Sequence, residues 1–454
     1  MPKNKQNINL DSVNDSTNGK IINNNETIID NSFDMSKFQI TKKNNLHLIS
    51  EYNPNLKVFA LVVCINIGSR DEYKDINGIS HLIEHLIFKR SAKKSAKQIA
   101  NRFEDLGAFA NAYTSKEQTV FYVRGLVENF DKILELLFEI IYNSEFIEKE
   151  IEKEKVIIID EISSYEDDAE ELIYEDAEKL IFENNTLAFP IAGEPDILQK
   201  INIKNILNFY KNHYTLENTK ITYIGNLKQE ILFQKIFNQA KINNLTTNDL
   251  VYKIETDTQV VKRHTPVDFK TINHTTEKYF TQSHILTLKP FVNLNDEDKI
   301  CLTIINLLFG ESMSSRLSYR FREANAISYS VYSSLQVYND TVVFYIYLAV
   351  DKNKLSKSKS LLDNEINKLH QGTISSSELL RAKEQMKTSL YLENESLTDK
   401  AINMLKIEDK NFESYNLETL IEKLNSVDLK YINNFCQNRF DPNTFSQITY
   451  IEKK

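Results

Sequence analysis

Nowhere in its 454 residues does the chain run for the roughly 20 uncharged apolar residues that a membrane-spanning helix needs, so no membrane span is expected. Cysteine is scarce: Cys64, Cys301 and Cys436 lie far apart, odd in number, with no CxxC pair. A disulfide framework is therefore not expected, and a reducing compartment is. Cys64 and Cys301 stand in apolar runs, VVCINIG and KICLTII, where buried free thiols are the reading. Positive charge is not in excess either. With 55 basic against 64 acidic residues the net charge is −9, and nucleic acid, which demands clustered Lys and Arg, is not an expected partner. Residues 1–34 hold nine Asn, no Arg and no apolar core segment. Neither a secretory signal nor a mitochondrial presequence is expected of them, and a disordered polar tail is. A bacterial cytoplasm follows as the first reading of compartment, a mitochondrial matrix as the second.

What is present is ample core material. Hydrophobic residues make up 41% of the chain, with 25 Phe and 22 Tyr, enough for two domains. FQITKKNNLHLIS and VFALVVCINIG read as strands separated by the turn signal NPN, and HLIEHLIFKR as a helix. A second helix follows over KSAKQIANRFEDLGA, a strand over 119–126, an amphipathic helix over NFDKILELLFEIIYN and a long charged helix from about Glu148 to Phe182. The strand KITYIGN and one more helix close a first domain over 35–245. Residues 246–277, rich in Thr and Asn, read as a linker. The domain 278–454 repeats the order: strand SHILTLKPF, helix KICLTIINLLF, strands ISYSVYSSLQVY and TVVFYIYLAV, then a long helix. Aligning HLIEHLIF with LTIINLLF sets Leu302, Ile305 and Asn306 against His81, Glu84 and His85. A duplicated architecture with one catalytic half is inferred.

The chemistry lies in HxxEH. His81 and His85 are four apart on a predicted helix, so both imidazoles leave one face and can share a metal ion. Glu84, beside His85, can reach a water on that ion without ligating it. Zinc brings such a water's pKa to about 7, and a carboxylate can then take its proton during attack on a peptide carbonyl. Two histidines leave the ion one protein ligand short.

The motif region GISHLIEHLIFK, the segment EKVIIIDEISSYEDD and the stretch NAYTSKEQTVFY together resemble the pitrilysin and insulinase group of zinc peptidases, the inverzincins, over most of residues 38–450. Within that group the likeness is greatest to the catalytic subunit of the mitochondrial processing peptidase and its bacterial relatives. The resemblance implies an α+β fold of two related half-domains, each a mostly antiparallel sheet backed by helices, enclosing an acidic chamber. It implies one Zn2+ per chain, with Glu161, 76 residues beyond His85, as the third ligand. Glu154, seven residues earlier, would orient a ligating His or the water. Phe88 would shape the pocket beyond the cleaved bond, and Asn111 and Ala112 would hydrogen-bond the substrate backbone as an added strand.

In the second half FGESMSSRLSYRFREANAISYSVYS carries Arg322 and Tyr329, which the resemblance sends to the substrate carbonyl; an Arg on a helix and a Tyr in a strand core is the plainer alternative. Glu171 and Glu175, ten and fourteen residues past Glu161, are four apart and would grip an Arg before the cleavage site, although so acidic a helix also offers a merely solvated face. The implied function is a zinc metalloendopeptidase for unfolded or presequence-like peptides, with Arg favoured near the cut. A catalytically silent subunit of the same fold and a general peptide-clearing enzyme remain as rivals. The partner is a peptide substrate, and the chain would act alone, as a homodimer, or with a non-catalytic homologue. Arg90, Gly107-Ala108 and Glu311 depart from the family's usual glycines and put loop geometry, not metal binding, in question.

Overall fold

A computed structural model describes residues 38–43, 45–245, 267–406 and 417–453. The predicted tail and residues 246–266 of the predicted linker lie outside the described residues.

Alternating or continuous apolar runs become strands, and runs with three- and four-residue apolar spacing become helices. In chain order the first half contains β1 (Phe38–Lys43), β2 (Leu46–Tyr52), β3 (Val58–Ile65), α1 (Ile79–Ile87), α2 (Ala96–Asp105), β4 (Phe109–Thr114), β5 (Thr119–Leu126) and α3 (Phe130–Tyr142). It continues with α4 (Glu148–Asp167), α5 (Ala169–Ile181), α6 (Pro195–Leu198), α7 (Ile203–His213), β6 (Thr219–Gly225) and α8 (Gln229–Ile242). The second half runs β7 (Asn273–Lys278), β8 (Ser283–Val292), α9 (Asp296–Asn306), β9 (Val331–Val337), β10 (Thr341–Val350), α10 (Leu355–His370), α11 (Ser376–Glu395), α12 (Leu397–Asn403), α13 (Leu417–Ser426), α14 (Leu429–Arg439) and β11 (Ser446–Glu452).

The first sheet has the order β1-β2-β6-β3-β5-β4 and the second β7-β11-β8-β10-β9. In each, one pair is parallel, β2 with β6 and β7 with β11, and the remaining neighbours are antiparallel. The two orders superimpose strand for strand once β1 is set aside. The fold is α+β, with two sheets each backed by helices.

Each sheet buries one face in its own helices. The first core gathers Phe59, Leu61, Val63, Phe121, Leu137 and Ile158, and the second gathers Ile305, Phe309, Phe344, Ile346 and Phe440. The other face is covered by the opposite half. Ile173, Ala177 and Ile181 of α5 pack on Leu286, Tyr345 and Tyr450 of the second sheet. Ala401 of α12, with Met404 and Leu405, packs on Ala60, Val62 and Ile224 of the first. This exchange explains why every residue of β10 is buried and why its sequence carries large apolar and aromatic residues on both faces rather than alternating with charged ones.

Two expectations change. The long charged helix is two helices, because Asp168 takes an extended conformation (φ −92°, ψ 112°) and its carboxylate accepts from the backbone N–H of Glu170 and Glu171, starting α5 afresh. The predicted linker ends earlier than 277, since Asn273–Lys278 is β7. That strand sits at a sheet edge with mostly exposed side chains, so it needs no apolar periodicity and showed none.

Candidate metal centre

Helix α1 places the centre by the spacing of its apolar residues. Ile79, Leu82, Ile83, Leu86 and Ile87 are buried in the first core, which turns His81, Glu84 and His85 to the opposite, partly exposed face. Helix α4 lies against it. Its buried residues Ile151, Glu154, Ile158 and Ile162 fix its rotation, and Glu161 then faces the two imidazoles. Glu161 Oε2 stands 4.0 Å from His81 Nε2 and 3.9 Å from His85 Nε2. One donor atom from each of the three residues falls within 4.8 Å of the others, the only such cluster of three among the described residues.

The neighbours sort the donors. His85 Nδ1 lies 3.4 Å from Glu154 Oε2, leaving Nε2 for an ion, and Lys89 Nζ holds the other Glu154 oxygen at 3.1 Å. Tyr165 donates to Glu161 Oε1 at 2.5 Å, so the opposite oxygen is the one turned to the histidines. Burial, and then the adjacent His85, pushes His81 down to about 4, which keeps its imidazole neutral and able to ligate. A tetrahedral zinc with bonds of roughly 2.1 Å sets its donors about 3.4 Å apart, so donors now 3.9 to 4.0 Å from the Glu161 oxygen and all within 4.8 Å of one another would fit it after side-chain closure of about half an ångström to somewhat over one. Two imidazoles and one carboxylate are also a donor set of the kind catalytic zinc takes.

Glu84 does not join the three. Thr114 Oγ1, at the end of β4, donates to Glu84 Oε2 at 2.7 Å. Burial holds the Glu84 carboxyl above its ordinary range, against the opposing pull of Thr114 and His85. A carboxylate so placed, raised above its ordinary range and outside the donor set, is suited to accept a proton.

The other expected residues fall as follows. Asn111 and Ala112 lie on β4, an edge strand paired on one side only, with β5. The Asn111 side chain presently accepts from the Ala112 N–H at 2.9 Å. Phe88, 6.2 Å from Phe121 between ring centroids, lines a largely apolar cavity of about 470 Å³ with Ile99, Ala100, Phe103 and Phe109. The Arg322 guanidinium lies over the Tyr329 ring at 4.6 Å. Tyr329 precedes β9 and is 80% exposed, so it is not a core residue. Glu175 is paired with Lys179 at 2.7 Å, whereas Glu171 lies near enough to Tyr165 to add to the rise of its phenol that the Glu161 hydrogen bond chiefly causes. Glu170, Asp176 and Glu178 on the remaining faces of α5 instead accept hydrogen bonds from Tyr332, Tyr450, Tyr338 and Tyr345 of the second half.

Sequence reasoning passed over Thr114, Tyr165 and Lys89. Tyr165 was open to it, being four residues from Glu161 on one helix. Thr114 was not, because nothing local links β4 to α1.

A model of the insulinase peptidases, family M16, matches residues 47–194, and one of the M16 inactive domain matches residues 200–386. A protein named as an uncharacterized zinc protease of Bacillus subtilis is 31% identical over 402 residues, spanning 88% of this chain and 95% of its own. The probable beta subunit of the mitochondrial processing peptidase of Arabidopsis thaliana is 27% identical over 78% of this chain and 66% of its own. A peptidase M16 inactive domain structure from Pseudomonas fluorescens aligns with TM-score 0.83 at 17% identity, covering 92% of this chain and 98% of its own. A protease from Helicobacter pylori aligns with TM-score 0.79 at 19% identity, covering 91% and 99%. These two likenesses speak for the fold alone.

Proposed function

Because the chain belongs to peptidase family M16, we propose that it is a zinc metalloendopeptidase that hydrolyses internal bonds of unfolded or presequence-like peptides. The observation that carries this reading is the meeting of His81, His85 and Glu161 from two helices, with Glu84 held beside them and outside the donor set. Bound there, zinc would supply a Lewis acid and a water acidified to about pKa 7.

The chain's own groups do the rest. An extended peptide adds to the open edge of β4, where Asn111 and Ala112 offer backbone groups once the Asn111 side chain lets go of the Ala112 N–H. The residue after the cleaved bond enters the cavity beside Phe88. The Glu84 carboxylate, steadied by Thr114 at Oε2, takes the proton of the attacking water and returns it to the leaving amine. Arg322 and Tyr329, already joined ring to guanidinium, stabilise negative charge on the carbonyl oxygen. Glu154 keeps His85 oriented.

Specificity for Arg rests on Glu171 more than on Glu175, which Lys179 already neutralises. Family resemblance supports action as a homodimer or beside a non-catalytic homologue; a bacterial cytoplasm stays the first reading of compartment and a mitochondrial matrix the second, the relatives including both kinds. Mapping cleavage sites on a peptide library tests the reading. Wild-type protein cuts unfolded peptides and Glu84→Gln does not. Glu171→Gln lowers the rate on Arg peptides relative to others; unchanged relative rates indicate a general peptide-clearing enzyme instead. Stoichiometric zinc with no cleavage of any peptide indicates the silent subunit.

A further inference from the structure

Two short segments of the first half meet the second half through buried charges that the reaction above does not use. One is Gly68–Glu72, between β3 and α1; the other is the turn at residues 115–118, between β4 and β5. They are stitched together, the N–H groups of Ser69 and Arg70 donating to the carbonyls of Ser115 and Lys116 at 3.3 and 2.8 Å. The Arg70 side chain is fully buried, and its two terminal nitrogens grip both oxygens of Asp340 at 2.9 and 2.7 Å. Arg70 Nη1 also reaches Glu117 Oε1 at 2.6 Å. Asp340 belongs to the turn between β9 and β10 in the second half, and the other Glu117 oxygen accepts from the Asn339 N–H beside it at 3.0 Å. A planar fork on a carboxylate fixes direction as well as distance.

The same two segments touch α1 and the base. Glu72 is buried two residues beyond Arg70. Its carboxylate accepts from the N–H groups of Gly78 and Ser80 and from Asn77 Nδ2, at 2.7, 2.8 and 2.8 Å. It thereby caps the first turn of α1, one residue before His81, where negative charge also suits the helix dipole. Thr114, which holds Glu84, immediately precedes the stitched turn. Gly78 sits at φ +95°, and a Cβ there would come within 2.6 Å of the Ala192 carbonyl, so the start of α1 is also pressed against the loop after α5. Lys116 clasps that loop by donating to the carbonyls of Leu187 and Phe189.

We propose that Arg70, Glu117 and Asp340 form a positioning cluster through which the second half fixes the placement of α1 and of Glu84. The second half thus acts as a brace on the metal helix, apart from any contact it makes with substrate. The kinetic part of this inference rests on the peptidase reading; the structural part does not. A shift of the Gly68–Glu72 segment moves the Glu72 cap and the Thr114 hydroxyl together, and about an ångström of misplacement costs up to about a hundredfold in rate.

The test compares wild type, Asp340→Asn and Asp340→Glu as full-length chains, well below their unfolding temperatures. Amide exchange over residues 78–85 is read on metal-free protein, the rate of zinc loss to a chelator on loaded protein, and kcat and KM on an unfolded peptide. Asp340→Asn is expected to speed exchange at Gly78 and Ser80 and zinc loss at least tenfold, and to lower kcat about tenfold or more with KM little changed. Asp340→Glu, which keeps the charge, recovers part of each. If Asp340→Asn lowers Tm but leaves exchange, zinc loss and kcat within twofold of wild type, the cluster is structural filler and the proposal is wrong. If Asp340→Asn does not fold, Arg70→Lys, which keeps the charge and loses the fork, is read by the same criteria. Should wild type cut no peptide, the exchange rates still decide, so loss of the peptidase reading is told apart from loss of the brace.

Discussion

The two halves share a sheet order, β1 aside, and part chemically at three side chains of one helix. α1 and α9 occupy equivalent places, each between the strands β3 and β4 or β8 and β9. Where α1 turns His81, Glu84 and His85 outward, α9 has Leu302 and Ile305, both fully buried in the second core, and Asn306, buried with its amide donating to Glu311 at 2.7 Å. The apolar side chains are absorbed into packing, and among the described residues the second half holds no counterpart of the three-donor cluster. The comparison teaches that the topology is indifferent to the chemistry: each sheet accepts a helix of its partner on one face, and only α1 of the two helices beneath presents candidate ligands.

Exchanging the chemical residues breaks the comparison most sharply. Glu84→Gln is expected to lower kcat by about 10²–10⁴-fold with zinc content unchanged, measured by peptide cleavage and metal analysis. Ile305→Gln, at the equivalent place, leaves kcat per folded molecule near wild type and lowers Tm, because it buries an amide with no partner. Within the first half, Lys116→Met strips Glu178 of the ammonium it meets at 3.0 Å, leaving a carboxylate that Tyr338 and Tyr345 of the second half hold against their sheet, and a loss of about 3 kcal/mol in denaturant unfolding is expected. Glu154→Gln tests the first half alone; chelator competition should show about 10–100-fold weaker zinc binding.

The smallest effect belongs to α11, the counterpart of α4. Glu378 is partly buried, which pushes its carboxyl up, but hydrogen bonds from Arg316 and Ser375 outweigh this and bring it down to about 2, from an ordinary 4.5. Its contribution is therefore whole above pH 4.5 and fades as pH falls toward 2. Glu378→Gln should cost about 1 kcal/mol at neutral pH, with the difference from wild type vanishing in acid unfolding curves.

Much of this was legible in the sequence because it is periodic or fixed by spacing. The apolar spacing of α1 dictates which face holds His81 and His85, whereas Glu161 comes only through the family resemblance, its helix reading by itself as a solvated face, and folding does bring it beside them. The break at Asp168 was legible too, since Asp168 with Glu171 three residues on is a capping signal masked by the run of acidic residues. β7 was hidden for want of an apolar face. The grip of Thr114 on Glu84 and the fork of Arg70 on Asp340, 270 residues apart, are contacts across strands and halves that no local pattern encodes.

Anomalous diffraction at the zinc edge from crystals of the zinc-loaded chain tests the central claim most directly. A single strong peak is expected within about 2.0–2.2 Å of His81 Nε2, His85 Nε2 and one oxygen of Glu161, with Glu84 outside that shell. A peak elsewhere, or none with Glu161 turned to solvent, would contradict it.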